Sequence, residues 1–312
     1  MDFASASQRF RSFRLRPTIF RLADCAPCKL SFMTATTTQA EKGRAFRALH
    51  ERPGAFIIPN PWDAGTARIL QHLGFEALAT TSMGYAFSSG KPDNTIGRDD
   101  MIEHVGVIAA ATPLPVSADL ENGFGDSPED AAETIRRAAA AGAVGGSIED
   151  SNDAAPSNSA KPIYEIAYAA ERVRAAVEAA RALPFPFVLT ARAENYLHGR
   201  PDLRDTIARL QAYQEAGADV LYAPGLAKKE EIAEIVRSVD RPVNVVMGLV
   251  GVQLSLAELS AMGVKRISVG SALCRAALGA LLRAGREMRE RGTFTFGAEA
   301  APAREITAIF RS

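Results

Sequence analysis

Residues 115–150 read PVSADLENGFGDSPEDAAETIRRAAAAGAVGGSIED. The stretch opens on a short apolar run ending in Asp119 and turns through small and polar residues. It enters an amphipathic helical pattern at Pro128, stops at Gly142 and closes on a second apolar run ending in Glu149. Strand, helix, glycine stop and strand in that order describe one parallel βα unit. Glycine suits the stop because it takes the left-handed backbone that ends a helix at little steric cost.

The unit repeats outward in both directions. Expected strands lie at 56–59, 77–81, 115–119, 144–149, 187–192, 220–223, 243–247 and 266–269, with expected helices at 128–141, 164–182, 203–216 and 229–239. Gly74, Gly142, Gly217 and Gly263 recur at the helix-ending position. These strands predict an α/β fold, a (β/α)8 TIM barrel. No GxGxxG follows the first strand, as it would in a doubly wound dinucleotide-binding sheet. Residues 45–312 are assigned to the barrel and its C-terminal helices, and residues 1–44 to an N-terminal extension. Within that extension Arg9, Arg11, Arg14, Arg16 and Arg21 punctuate aromatic and serine residues, a composition shared with transit segments or with a start assigned too far upstream of Met33.

Lys plus Arg and Asp plus Glu balance at 36 each. The chain therefore carries no basic field of the kind that nucleic acid or an anionic membrane surface requires, and a small-molecule partner is expected. No apolar run approaches the roughly twenty residues of a membrane-spanning helix. The three cysteines, Cys25, Cys28 and Cys274, form a sparse and odd set. They argue for a reducing compartment, the cytoplasm, rather than for a disulfide framework. The Cys25–Cys28 pair has no second ligand pair beside it, and chance spacing explains it.

In barrels of this type the chemistry sits where strands end and loops begin. There the sequence places Asp119 and Glu121, then Glu149 and Asp150, then Arg192, Glu194 and Asn195. Carboxylates gathered in one small space repel each other unless a cation or proton intervenes. A hard cation is the simplest neutraliser, and Mg2+ (with Mn2+ as a substitute) suits an oxygen-donor set of Asp119, Glu121 and Glu149. His50, His72, His104 and His198 read as helix-surface or loop residues, which argues against zinc. A guanidinium ending the fifth strand is costly unless it meets acids or an anionic substrate, so Arg192 reads as a carboxylate clamp. A metal, Arg192 and backbone donors together would hold a 2-oxo acid and stabilise the enolate formed when a neighbouring bond breaks. No lysine ends a strand, which sets Schiff-base chemistry aside. Tyr85 and Glu194 are candidate proton carriers, and Asn195 and Asn244 are candidate substrate-binding residues.

The segments ADLENGFGD (118–126), SIED (147–150) and TARAEN (190–195) resemble the isocitrate lyase/phosphoenolpyruvate mutase superfamily. PNPWDAG (59–65), GKPDN (90–94) and SVGSALCRAA (268–277) follow in the expected order, so the resemblance spans roughly residues 45–300. It implies that Asp119 and Glu149 are metal-site acids, with Glu121 standing where the family usually has Asp. It also implies that Asp93 is an acid of the loop after strand two, that Arg192 binds the substrate carboxylate, and that Thr81, Ser82 and Met83 hold the 2-oxo acid. The resemblance further implies an eighth helix exchanged between subunits, commonly in a homotetramer, and 277–291 is the candidate for that helix.

One loop departs from the pattern. After strand four the family's lyases carry Lys-Lys/Arg-Cys-Gly-His, whereas residues 151–161 here read SNDAAPSNSAK, without cysteine and without the mutase version of the motif. The loop is polar, rich in small residues and placed like a lid. The expected activity is a Mg2+-dependent lyase acting beside the carbonyl of a 2-oxo or 2-hydroxy acid, by carbon–carbon cleavage or decarboxylation. The alternatives are a phosphonopyruvate-type mutase or hydrolase, with Ser268, Gly270 and Ser271 holding a phosphoryl group, and a non-catalytic 2-oxo acid-binding barrel.

Overall fold

Capping chemistry and glycine stops set the element boundaries. Ser127 accepts from the N–H of Asp130, whose carboxylate returns to the Ser127 N–H, and Pro128 occupies the first turn. This is a capping box that starts a helix where the chain leaves the acidic loop. Gly142 then adopts φ +106°, and Gly74, Gly217 and Gly263 adopt φ between +86° and +103°, so the four glycines do end helices in the left-handed region.

A computed structural model describes residues 37–152, 162–249, 251 and 253–311. The strands are β1 Phe56–Ile58, β2 Leu78–Ala79, β3 Val116–Asp119, β4 Gly145–Glu149, β5 Val188–Arg192, β6 Val220–Tyr222, β7 Val243–Val246 and β8 Arg266–Ser268. The helices are α1 Gln39–Glu51, α2 Ala64–His72, α3 Ser82–Ser88, α4 Arg98–Ala111, α5 Pro128–Ala140, α6 Ile166–Arg181, α7 Leu203–Glu215, α8 Lys229–Ser238, α9 Leu256–Ala261, α10 Ala272–Arg291 and α11 Ala303–Arg311. All neighbouring strands pair in parallel in the order β1-β8-β7-β6-β5-β4-β3-β2. The Ala79 N–H donates to the Pro59 carbonyl at 3.1 Å across the remaining seam. The result is a nearly closed (β/α)8 barrel.

Two apolar layers hold it. Between sheet and helices, the Ala-rich faces of α5 and α6 meet Leu120, Ile148, Leu189 and their neighbours. At the N-terminal end, Phe46 and Leu49 of α1 plug the barrel against Phe56, Ile58, Val188 and Val220. Gly145 makes that plug possible, because a Cβ there would stand 2.6 Å from the Phe46 ring. Helix α1 begins six residues ahead of residue 45, where the barrel was expected to start.

His50 and His104 correct the expectation of surface histidines, since both are buried. The His50 ring sits edge-on between Phe46 and Phe56, and its Nδ1 bonds the Phe46 carbonyl at 2.8 Å. Among the described residues no helix is long and apolar enough to cross a membrane. Cys25, Cys28 and residues 153–161 of the loop expected to act as a lid (151–161) lie outside the described residues.

Candidate active site

A cavity of about 460 Å³ opens at the C-terminal ends of the strands, and nearly all the residues expected at the site line it. Thr81, Ser82, Met83 and Asp93 come from the segment after β2, Asp119 and Glu121 from β3 and its loop, and Glu149 from β4. Arg192 and Glu194 come from the end of β5, and Asn244 from β7.

Arg192 is the hub. Its Nη1 meets Asp119 Oδ1 at 2.9 Å, its Nη2 meets Glu149 Oε2 at 3.1 Å and its Nε meets Glu194 Oε1 at 2.8 Å. The β4–β5 register pairs Glu149 with Arg192 directly, so adjacent strands fix the second of these contacts. Burial opposes the charge on Arg192, but Glu149, Glu194 and Asp119 outweigh it and hold the guanidinium firmly protonated. Burial acts in the opposite sense on Glu194, raising its carboxyl to about 7 despite the pull of Arg192.

Asp119 is fixed on its other side. Its Oδ2 accepts from the backbone N–H and the hydroxyl of Ser82 at 3.0 and 2.9 Å, tying β3 to the start of α3. Glu121 is buried and adopts φ +48°, a left-handed backbone that a glutamate takes only when its surroundings impose it. The surroundings include Arg172 of α6, whose guanidinium donates to the carbonyls of Asn122, Gly125 and Asp126 and stacks 4.5 Å over the Tyr164 ring. Asp150 is buried beneath the site. Its carboxylate accepts from the Glu194 N–H at 2.8 Å, from Arg209 at 2.9 Å and from the Tyr213 hydroxyl at 2.5 Å. It positions Glu194 rather than facing the cavity.

Two expected residues stand elsewhere. Tyr85 is not part of the cavity lining; its ring stacks on His104 of α4 with centroids 3.8 Å apart. Asn195 is fully buried, and its Nδ2 donates to the carbonyls of Arg200 and Asp202 and to the Thr206 hydroxyl. It pins the loop after β5. The side chain of Asn244 is likewise engaged, donating to Ser268 Oγ at 3.0 Å and accepting from Arg266 Nε at 2.8 Å.

The cavity also contains residues that sequence reasoning did not single out: Ser151, His198, Tyr222 and Arg266. Arg266 lies inside the barrel at the start of β8. Its Nη2 donates to Thr190 Oγ1 at 2.9 Å, and its Nη1 makes no hydrogen bond to a described residue. No carboxylate among the described residues forms an ion pair with it, and burial lowers it to about 10. Small residues share the cavity with it. Ala79, Ser117, Ser147 and Ser268 line the cavity where barrels of this type usually pack branched apolar side chains.

The donor set matches a hard cation. Asp119, Glu121 and Glu149 offer carboxylate oxygens beside the hydroxyls of Ser82 and Ser147, with neither thiol nor imidazole among them. Among the described residues no three acidic, cysteine or histidine side chains stand in a complete metal-holding cluster. Mg2+ does not need one, because it binds through one or two carboxylates and keeps several waters.

With this geometry in view, similarity to known proteins becomes informative. The sequence model of phosphoenolpyruvate phosphomutase matches residues 46–289. A Burkholderia cenocepacia J2315 structure provisionally named a lyase/mutase is 66% identical, covering 88% of this chain and 97% of that one, with a TM-score of 0.85. The 2-methylisocitrate lyase of Salmonella typhimurium is 33% identical over 60% of this chain and 63% of its own length. A phosphonopyruvate hydrolase solved with oxalate and Mg2+ is 25% identical, covering 86% of this chain and 95% of that one, with a TM-score of 0.76. Barrel, acid-lined cavity and sequence agree: the chain belongs to the phosphoenolpyruvate phosphomutase family, within the isocitrate lyase/phosphoenolpyruvate mutase superfamily of Mg2+-dependent lyases and mutases that act on 2-oxo acid-type substrates.

Proposed function

We propose that this chain is a Mg2+-dependent lyase that breaks a carbon–carbon bond, or removes carbon dioxide, next to the carbonyl of a 2-oxo acid through a pyruvate-type enolate. The observation that carries the reading is the convergence of Asp119, Glu149 and Glu194 on Arg192 in one cavity that also contains Arg266. That cavity presents oxygen donors for a hard cation beside cationic groups for an organic anion.

Asp119, Glu121 and Glu149 would hold Mg2+, which when bound supplies Lewis-acid polarisation of the substrate carbonyl. The chain's own groups do the rest. Arg192 turns toward the substrate carboxylate, exchanging part of its contact with Asp119 and Glu149 for a bidentate pair. The backbone of Thr81 to Met83 borders the cavity where it can orient the 2-oxo group. Arg266 adds positive potential from below as charge develops on the enolate oxygen.

Carbon–phosphorus chemistry is the second reading, and one observation favours it. Ser268, Gly270 and Ser271 line the same cavity just ahead of the 20-residue helix α10, where a phosphoryl group would meet the positive end of the helix. Incubation with Mg2+ and a panel of 2-hydroxy diacids, oxaloacetate and phosphonopyruvate, with pyruvate release followed, separates the two. Release from a diacid or oxaloacetate supports the lyase, and turnover of phosphonopyruvate alone, to pyruvate and phosphate or to phosphoenolpyruvate, supports the second reading. Oxalate binding without turnover of any compound would point to the non-catalytic barrel.

We further propose that α10 is exchanged between subunits of a homotetramer. Along its length only Cys274 and Glu287 are buried, while Leu281 and Leu282 are 64% and 57% exposed. Sedimentation of the full chain tests the assembly: a monomer would contradict it.

A further inference from the structure

The proton carrier is the part of the chemistry that the acidic cluster does not supply. Asp119, Glu149 and Glu194 are all bound to Arg192, and the Tyr222 hydroxyl is buried and held above its ordinary range, first by burial. One histidine lines the cavity. His198 lies in the loop after β5, half-buried, and its Nε2 stands 3.1 Å from the hydroxyl of Ser151 in the loop after β4.

Both partners are held by their own loops. Ser151 pairs with Ile163 as an isolated antiparallel bridge, the Asn152 N–H donates to the Pro162 carbonyl at 2.8 Å, and the Tyr164 N–H donates to the Asp150 carbonyl at 2.9 Å. The His198 N–H donates to the Glu194 carbonyl at 3.1 Å, within the turn that Asn195 clamps through Arg200, Asp202 and Thr206. Two loops closed at their bases thus deliver a hydroxyl and an imidazole to the same mouth of the cavity. Such mutual support is what keeps a catalytic group within a fraction of an ångström of its working position.

We propose that His198, oriented by Ser151, carries the proton to and from the carbon beside the 2-oxo group; this rests on the enolate reading given above. Imidazole is the side chain most often used for this task. In the tautomer whose Nε2–H donates to Ser151 Oγ, Nδ1 holds the lone pair. Nδ1 takes a proton from the methyl carbon, the C–H pair becomes the carbon–carbon π bond, and the carbonyl π pair becomes the lone pair of the enolate oxygen. In reverse, the imidazolium returns its Nδ1 proton to that carbon and the carbonyl re-forms. The Ser151 contact survives in both directions, so the ring need not turn during the transfer.

Exchange of the pyruvate methyl protons in deuterated buffer, followed by NMR with the full chain and Mg2+, tests this directly. The wild type is expected to exchange them. His198→Gln, which retains a donor for Ser151 but cannot carry a proton, is expected to slow exchange by about 100-fold or more while oxalate binding by calorimetry stays unchanged. Added imidazole is expected to restore part of the exchange in His198→Ala, which a merely structural role would not allow. Exchange at the wild-type rate in His198→Gln would overturn the proposal and leave the enolate reading standing. Loss of oxalate binding together with exchange would overturn it in favour of a structural role. A wild type that binds oxalate but does not exchange would contradict the enolate reading and this proposal together.

Discussion

Arg192 and Arg266 line the same cavity and are held in opposite ways. Arg192, at the rim, meets three carboxylates at 2.8–3.1 Å. Among the described residues, the hydrogen bonds of the Arg266 side chain, toward the floor, go to the neutral groups of Asn244 and Thr190. Thr190 lies two residues before Arg192 on β5, so the two environments differ over a depth of about 7 Å. The rim is an ion cluster in which carboxylates outnumber the guanidinium, which suits the arrival of a cation. The floor has a cation whose own charge is uncompensated by contact, which suits a place where an anion arrives.

The comparison predicts unequal costs of removing each arginine. Arg192→Met leaves Asp119, Glu149 and Glu194 facing one another and is expected to cost about 3–5 kcal/mol of stability at neutral pH, read from urea unfolding, and to abolish oxalate binding. Arg266→Met removes a poorly compensated cation along with its hydrogen bonds to Asn244 and Thr190. Since each bond from a charged group contributes about 1.5–3 kcal/mol but the buried, poorly compensated charge offsets much of it, the expected loss is about 1–2 kcal/mol, with a weakened affinity for oxalate as the main effect. Equal costs for the two variants would break the comparison and make Arg266 a structural residue.

Rim and floor are also expected to respond to pH with opposite sign. Burial raises Glu194 from 4.5 to about 7 in the folded chain, so its contribution is full below pH 4.5 and is lost as pH rises through 7. Burial, then the charge of Arg266, lowers His50 from 6.5 to about 3, so its contribution is present above pH 6.5 and is lost as pH falls toward 3. Glu194→Gln should therefore flatten the alkaline side of the stability profile, and His50→Gln the acid side. Unfolding midpoints measured from pH 4 to 8 check both, and a variant that flattens the wrong side would refute the corresponding assignment. These effects are expected to be smaller than that of Arg192→Met.

The same contrast explains what the sequence made legible. Rim acids continue apolar strand runs, as Asp119 follows 115–118 and Glu149 follows 144–148, so period and polarity both marked them. Helix stops at Gly74, Gly142, Gly217 and Gly263 were legible because the left-handed backbone asks for one residue type. The floor was hidden by position. Arg266 opens its strand, where a charged residue reads as a loop end, and His50 and Phe46 belong to a helix preceding the first strand. Arg172 left a faint signal, a charge among Ala169, Val173 and Ala176 on the buried face of α6. His198 and Asn195 share one short loop but exchange the roles that sequence suggested. Asn195 turns inward to clamp, and the histidine read as an ordinary loop residue borders the cavity. Loop geometry decides that difference, and no periodicity encodes it.

Calorimetric titration of oxalate into the full chain, with Mg2+ and then with a chelator in its place, tests the central claim most directly. The account predicts binding that requires Mg2+ and disappears in both Asp119→Asn and Glu149→Gln, variants that keep shape and remove charge. Oxalate binding that is equally tight in the chelator, or that survives both substitutions, would contradict the assignment of this cavity as a Mg2+-dependent 2-oxo acid site.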